Sequence, residues 1–213
     1  MIRCCVFDLD GTLVNSLEDL ARATNFALKK NGLPAKELEE YRYFVGDGVF
    51  KLVERAAGGK GTPELLKKIK ADFDAYYATH YHVHTAFYPG ILPLLQELKQ
   101  KGIKLAVISN KPHEFAVQIV SEFAPGFFDC AMGNSPKFPK KPDPASLSFT
   151  METLGVSPEE TLFIGDSNVD IFTGHNAGVK AVGVTWGFRP RKELMDAGAD
   201  YLADTPHDLL QWI

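Results

Sequence analysis

The sequence predicts an α/β fold, a Rossmann-like parallel sheet core carrying an inserted helical cap domain, and three observations predict it. Short apolar runs at residues 4–7, 104–108 and 161–164 read as strands buried on both faces. Each is followed, directly or after an insertion, by a helical pattern, and alternating strand and helix signals argue for a parallel sheet. Between the first run and Tyr88-Pro89-Gly90 the pattern is helical with no convincing strand, which marks the insertion.

The first run ends in Asp8-Leu9-Asp10-Gly11-Thr12. In extended backbone residues i and i+2 share a face, so Asp8 and Asp10 point the same way. Two adjacent carboxylates repel unless a cation or a shared proton relieves them. In open α/β sheets the crevice beyond the carboxyl ends of the strands is also where ligands bind. The competing reading is a plain N-cap and turn, for which Asp, Gly and Thr are suited.

The insertion begins with a helix over 17–30, whose apolar residues Leu17, Leu20, Ala21, Ala23, Ala27 and Leu28 follow helical spacing and which Asn31-Gly32 terminates. Residues 49–57 and 65–81 read as further helices. Gly58-Gly59-Lys60-Gly61-Thr62 lacks the residue order of a phosphate loop and is read as an inter-helix turn. His80, His82 and His84 alternate as a zinc site would on a strand, but they fall at a helix end, where cationic side chains are favoured without any metal. The domain boundaries expected are 1–14 and 88–213 for the core and 15–87 for the insertion.

The core resumes at Ile91, with strands expected at 104–109, 129–132, 162–164, 181–184 and 201–202. The second run leads into Ser109-Asn110, and the third into Gly165-Asp166-Ser167-Asn168-Val169-Asp170. Before the third lies Lys140-Lys141-Pro142-Asp143-Pro144, where proline blocks helical conformation and precedes a helix start. The strand ends thus gather four acids, a hydroxyl, an amide and a lysine on one edge. His113 and His175 lie just inside the following helices and are read as structural.

With 213 residues, 45% of them hydrophobic, the chain is long enough for a real core plus an insertion. The formal net charge is -4 and no long basic block occurs, so the electrostatic footprint of a nucleic-acid binder is missing. Met1-Ile2-Arg3 leads straight into the first strand and no apolar stretch reaches membrane-spanning length, so no signal peptide, no membrane partner and a cytoplasmic location are expected. Cys4, Cys5 and Cys130 lie in apolar runs and read as reduced core residues.

Taken together, Asp8-x-Asp10-Gly11-Thr12, Ser109-Asn110, Lys141-Pro142-x-Pro144 and Gly165-Asp166-Ser167-x-x-Asp170 resemble, in order, the four motifs of the haloacid dehalogenase superfamily, whose aspartate-dependent phosphohydrolases they match over the whole chain. The resemblance implies that Asp8 is a nucleophile forming an aspartyl-phosphate and that Asp10 protonates the leaving oxygen and then deprotonates water. It implies Mg²⁺ held by the Asp8 carboxylate, the Asp10 backbone carbonyl and Asp166, with Asp170 supporting directly or through water. Ser109 and Asn110 would bind phosphate at a helix N-terminus. Lys141 rather than Lys140 takes the cationic role, because the family lysine directly precedes proline. A helical insertion after the first motif corresponds to a C1 cap.

Dehalogenases of the superfamily lack an acid at the position of Asp10, so phosphotransfer is implied. The segment Arg42-Tyr43-Phe44-Val45-Gly46-Asp47-Gly48-Val49 resembles the substrate loop of phosphoglycolate phosphatases, and the stretch from Val184 through Trp186-Gly187-Phe188 is similar to the same subgroup. Asp143 departs from it, standing where the subgroup commonly has histidine. The expected function is therefore hydrolysis of a small phosphorylated metabolite such as phosphoglycolate, with Arg42, Gly46 and Gly48 binding its carboxylate. A pyrophosphatase or sugar-phosphate mutase would share every core residue, and a non-catalytic phosphate-binding protein is the alternative of another class.

Overall fold

The computed structural model describes residues 1–213. The chain divides into two compact units, Met1–Val14 with Phe87–Ile213, and Asn15–Ala86. In chain order the elements are β1 (Cys4–Phe7), β2 (Val14–Asn15), α1 (Leu17–Lys30), α2 (Tyr41–Phe44), α3 (Val49–Ala56), α4 (Pro63–His80), β3 (Ala86–Phe87), α5 (Ile91–Gln100), β4 (Lys104–Pro112) and α6 (His113–Phe123). They continue with β5 (Cys130–Asn134), α7 (Ala145–Leu154), β6 (Thr161–Gly165), α8 (Asn168–Asn176), β7 (Lys180–Val184), α9 (Arg191–Asp196) and β8 (Tyr201–Ala203). The chain crosses between units at the two-residue strands β2 and β3, which pair with each other.

The first unit is built on a six-stranded sheet of order β5-β4-β1-β6-β7-β8, parallel throughout. The order runs outward from β1 through β4 to β5, then returns to β6 on the other side of β1. That reversal makes the carboxyl end of β1 the topological switch point, where such sheets hold ligands. Register aligns the functional ends: Phe7 lies opposite Val107 of β4 and Ile164 of β6, so Asp8, Ser109 and Asp166 all emerge within two residues of one level.

All four residues of β1 are fully buried, as a strand covered on both faces requires. Cys4 and Val6 pack with Ala106, Ile108, Phe163 and, from α7, Leu147 and Met151. Alternation turns Cys5 and Phe7 to the opposite face. A smaller cluster of Ile171, Ala181 and Leu194 seats α8 and α9 against β7. The three cysteines are free thiols, and burial pushes that of Cys4 up to about 12 and raises that of Cys130. Cys4 and Cys5 are fully buried, and Cys130 packs partly buried against the core. No helix is long and apolar enough to cross a membrane.

The second unit is helical. Its α1 and α4 pack together, with Ile69, Phe73 and Tyr77 of α4 buried. The glycine-rich stretch before α4 is a turn that leads into the cap Thr62, whose side chain accepts a hydrogen bond from the Leu65 N–H, with Pro63 at the first helical position. Asp19 is a buried charge on α1. Its carboxylate accepts the backbone N–H groups of His84 and Thr85 and the Thr85 hydroxyl at 2.8–3.0 Å, which fixes the segment entering β3.

Candidate active site

The switch point brings together Asp8, Asp166, Asp170 and Lys141. Asp8 follows β1 directly, and its backbone N–H donates to the Ile164 carbonyl at 2.8 Å, continuing the ladder to β6. Lys141 Nζ lies 2.8 Å from Asp8 Oδ1 and 2.7 Å from Asp170 Oδ1, with its side chain 3% exposed. Lys140 next to it is exposed. Asp170 is fixed from its other oxygen, which accepts the Ser167 N–H at 3.0 Å and hydroxyl at 2.7 Å in the capping box of α8. Asp166 Oδ2 accepts the Phe188 N–H at 2.7 Å.

Space around Asp166 exists only because two neighbours are glycine. A Cβ on Gly11, which has φ +90°, or on Gly187 would overlap the Asp166 side chain. The sequence therefore spends Gly11 on both the turn after Asp10 and the close approach of two motifs.

Ser109, Asn110 and Lys111 lie where the pairing of β4 with β5 shifts register between Ile108 and Pro112. Such an irregularity re-aims side chains at a sheet edge. Asn110 braces Lys141: its Oδ1 accepts the Lys141 N–H at 2.9 Å and its Nδ2 donates to the Lys141 carbonyl at 3.2 Å. Its side chain thus positions the lysine, while its backbone and Ser109 lie within the last residues of β4, three or four positions before α6 begins. Ser109 Oγ accepts the Lys111 N–H at 3.2 Å. A small cavity bounded by Ser109, Asn110, Gly133, Asn134, Lys141 and Ser146 opens beside them.

Asp10 is held separately. Lys111 Nζ lies 3.0 and 3.2 Å from its two carboxylate oxygens. Sequence reasoning missed Lys111. A lysine just past an apolar run carries no spacing signal, and only the lengthening of β4 through Pro112 draws it into the interior.

The electrostatics are unbalanced. Burial pushes the Asp8 carboxyl up, Lys141 pulls it back, and Asp170 and Asp10 push it further, to about 7. Asp166 is raised well above the usual carboxylate range by burial and by Asp170 and Asp8, against the Phe188 N–H and Arg189. Burial works against the Lys141 ammonium, yet Asp170 and Asp8 outweigh it and hold its pKa above the ordinary value. Lys141 thus pairs with two of three buried carboxylates, and each of the three offers an oxygen within 4.8 Å of the others. An all-oxygen, anionic donor set of this kind fits a hard divalent cation.

The other residues singled out by sequence make contacts of their own. Arg42 is on α2 in the second unit, where its Nε donates to Glu39 Oε2 at 2.7 Å. Gly46 and Gly48 take φ of 124° and 83° between α2 and α3. The loop between those helices is shaped by Arg55, which sequence reasoning also missed. Its guanidinium pairs with Asp47 and donates to the carbonyls of Phe44 at 3.0 Å and Tyr43 at 3.4 Å. The histidines do not form a metal group: His80 stacks on Tyr76, and His84 lies 3.5 Å from Glu18. His113 Nδ1 meets the Gly133 N–H, and His175 pairs with Asp200 at 3.0 Å.

Comparison with known proteins agrees with this geometry. The model of the haloacid dehalogenase-like hydrolases matches residues 5–184. Phosphoglycolate phosphatase 1 of Pseudomonas aeruginosa is 34% identical over 98% of this chain and 78% of its own length, and the phosphoglycolate phosphatase of Pseudomonas putida is 40% identical over 87% and 70%. A crystal structure of a candidate phosphoglycolate phosphatase from Lactobacillus delbrueckii superposes with a TM-score of 0.95 at 34% identity, covering 99% of this chain and 98% of that one. CbbY from Rhodobacter sphaeroides, solved with phosphate, superposes with a TM-score of 0.78 at 26% identity over 98% and 96%. With its sheet order, its four motifs and these relatives in agreement, the chain belongs to the haloacid dehalogenase-like hydrolase family.

Proposed function

We propose that this protein is a Mg²⁺-dependent phosphatase that hydrolyses small anionic phosphate monoesters, phosphoglycolate foremost, through a phosphoryl group carried on Asp8. The observation that carries this reading is the buried set of Asp8, Asp166, Asp170 and Lys141 at the switch point, with Asp10 beside it. Asp8, Asp166 and the Asp10 backbone carbonyl would hold the cation and Asp170 would support it. When bound, Mg²⁺ supplies charge relief for the carboxylates and for the phosphoryl oxygens.

The protein's own residues account for the rest. An Asp8 oxygen attacks phosphorus, the ester P–O bond breaks, and Asp10 hands its proton to the departing oxygen. Water then loses a proton to Asp10 and attacks the same phosphorus, the bond to Asp8 breaks, and inorganic phosphate leaves. Lys141 offers fixed positive charge to the phosphoryl oxygens, and Ser109 and the backbone N–H of Asn110 offer hydrogen bonds. Each group at the sheet edge answers to phosphate, cation or proton, and none distinguishes one alcohol from another. Selection of the ester is therefore assigned to the second unit acting as a cap, with Arg42, Gly46 and Gly48 as its candidate residues.

The test is phosphate release from a panel of phosphorylated metabolites with Mg²⁺ and with chelator. Phosphoglycolate should lead the panel, and chelator should abolish turnover. Preference for a sugar phosphate or for pyrophosphate would replace the substrate assignment while leaving the chemistry intact.

A further inference from the structure

We propose that Lys111 is a positioning residue for proton transfer by Asp10, an inference that rests on the reading of Asp10 as proton donor. The two buried lysines of the site divide the acids between them. Lys141 spans Asp8 and Asp170, whereas Lys111 addresses both oxygens of Asp10. The Lys111 side chain is 3% exposed and that of Asp10 11%, so the pair is shielded from water that would otherwise weaken it. Lysine is almost never buried to this degree without a partner. Here the register shift of β4 turns it inward, and its own N–H is tied to Ser109 Oγ.

Two contacts of nearly equal length, 3.0 and 3.2 Å, fix the plane of the Asp10 carboxylate as well as its position. A proton donor works only within hydrogen-bond reach and alignment of the leaving oxygen. During ester cleavage one Asp10 oxygen delivers its proton to the alcohol oxygen as the P–O bond breaks, while the other remains on Lys111. Lys111 keeps its own proton throughout. A lysine that merely balanced charge, or that gripped phosphate, would serve all substrates alike. One that aligns a proton donor matters most where the leaving group needs the proton.

The experiment compares kcat/KM of the Mg²⁺-loaded enzyme across uncharged substituted phenyl phosphates, similar in shape but differing in how readily the phenolate departs. This ratio reports the first phosphoryl transfer and is untouched by later release from Asp8. Lys111→Met should lose about tenfold or more on phenyl phosphate and less than about threefold on dinitrophenyl phosphate, a part of the roughly 10²- to 10⁴-fold that general acid catalysis supplies. Lys111→Arg should restore most of the loss on phenyl phosphate, and Asp10→Asn should show the same selectivity more steeply. Equal losses of Lys111→Met across the series would overturn the proposal. If that variant does not fold, Lys111→Gln is run through the series, and a uniform loss there has the same force. A flat series for Asp10→Asn would instead refute Asp10 as the donor and take the inference with it. A steep Asp10→Asn series beside a flat Lys111 series would refute Lys111 alone.

Discussion

At the level of single residues the site is a concentration of charge that folding alone would not favour. Asp8, Asp166 and Asp170 crowd one another, with Lys141 paired to the first and last, and burial pushes the Asp8 carboxyl up to about 7. Asp8→Asn should abolish turnover and, in metal-free buffer, raise Tm, because it removes a buried carboxylate whose charged form is disfavoured. The pH dependence has a definite sign. A carboxyl whose folded pKa is raised binds a proton in the native state while the unfolded chain has lost it. Between its ordinary value of 3.8 and about 7, stability contributed by Asp8 therefore increases as pH falls. Thermal melts without metal should show wild type losing stability relative to Asp8→Asn as pH rises through that window, and a pH-independent difference would contradict the assignment. Lys141→Ala should cost roughly 2.7 to 4 kcal/mol of transition-state stabilisation, by analogy with loss of one preorganised donor, whereas exposed Lys140→Ala should be near neutral. Steady-state kinetics showing the reverse order would reassign the cationic role. Lys141, which the structure buries against Asp8 and Asp170, stood out in the sequence by its place before proline; Lys111 did not, since its burial depends on a strand irregularity that no local pattern announces.

At the level of elements, what was legible depended on how strong the local signal is. α1 occupies Leu17–Lys30 as expected, since its apolar spacing and the Asn31-Gly32 stop agree. β1 likewise matches its apolar run. β4 extends through Pro112, beyond the expected strand, because Ser109, Asn110 and Lys111 are polar yet buried there. Polar residues read as a strand end unless the partners that satisfy them are known. The loop between α2 and α3 shows the same blindness in the second unit, where Gly46 and Gly48 were visible but Arg55, which orders the loop, was not. Arg42 pairs with a Glu39 side chain that is 75% exposed, a contact that contributes little by itself. Arg42→Ala should lower kcat/KM for phosphoglycolate by about tenfold or more, the scale of one charge-assisted hydrogen bond, with a much smaller loss on para-nitrophenyl phosphate. Equal losses on both would remove Arg42 from substrate selection.

At the level of the whole molecule, the strand order decides where chemistry can occur. Reversal at β1 places the ends of β1, β4 and β6 side by side, so motifs separated by more than a hundred residues meet without any long-range pairing written in the sequence. The α/β class and the carboxyl-end location of the site followed from the alternation of strands and helices; the division of the acids between two lysines needed the structure. Mg²⁺ should raise Tm by binding the folded form alone, and the rise should shrink in Asp166→Ala, as melts at increasing metal concentration would show. A metal-induced rise unchanged in Asp166→Ala would place the cation elsewhere. The most direct test of the account is phosphate release from phosphoglycolate with Mg²⁺ by wild type and by folded Asp8→Asn. Steady turnover by the first and none above background by the second is the predicted result, and turnover by Asp8→Asn comparable to wild type would contradict it.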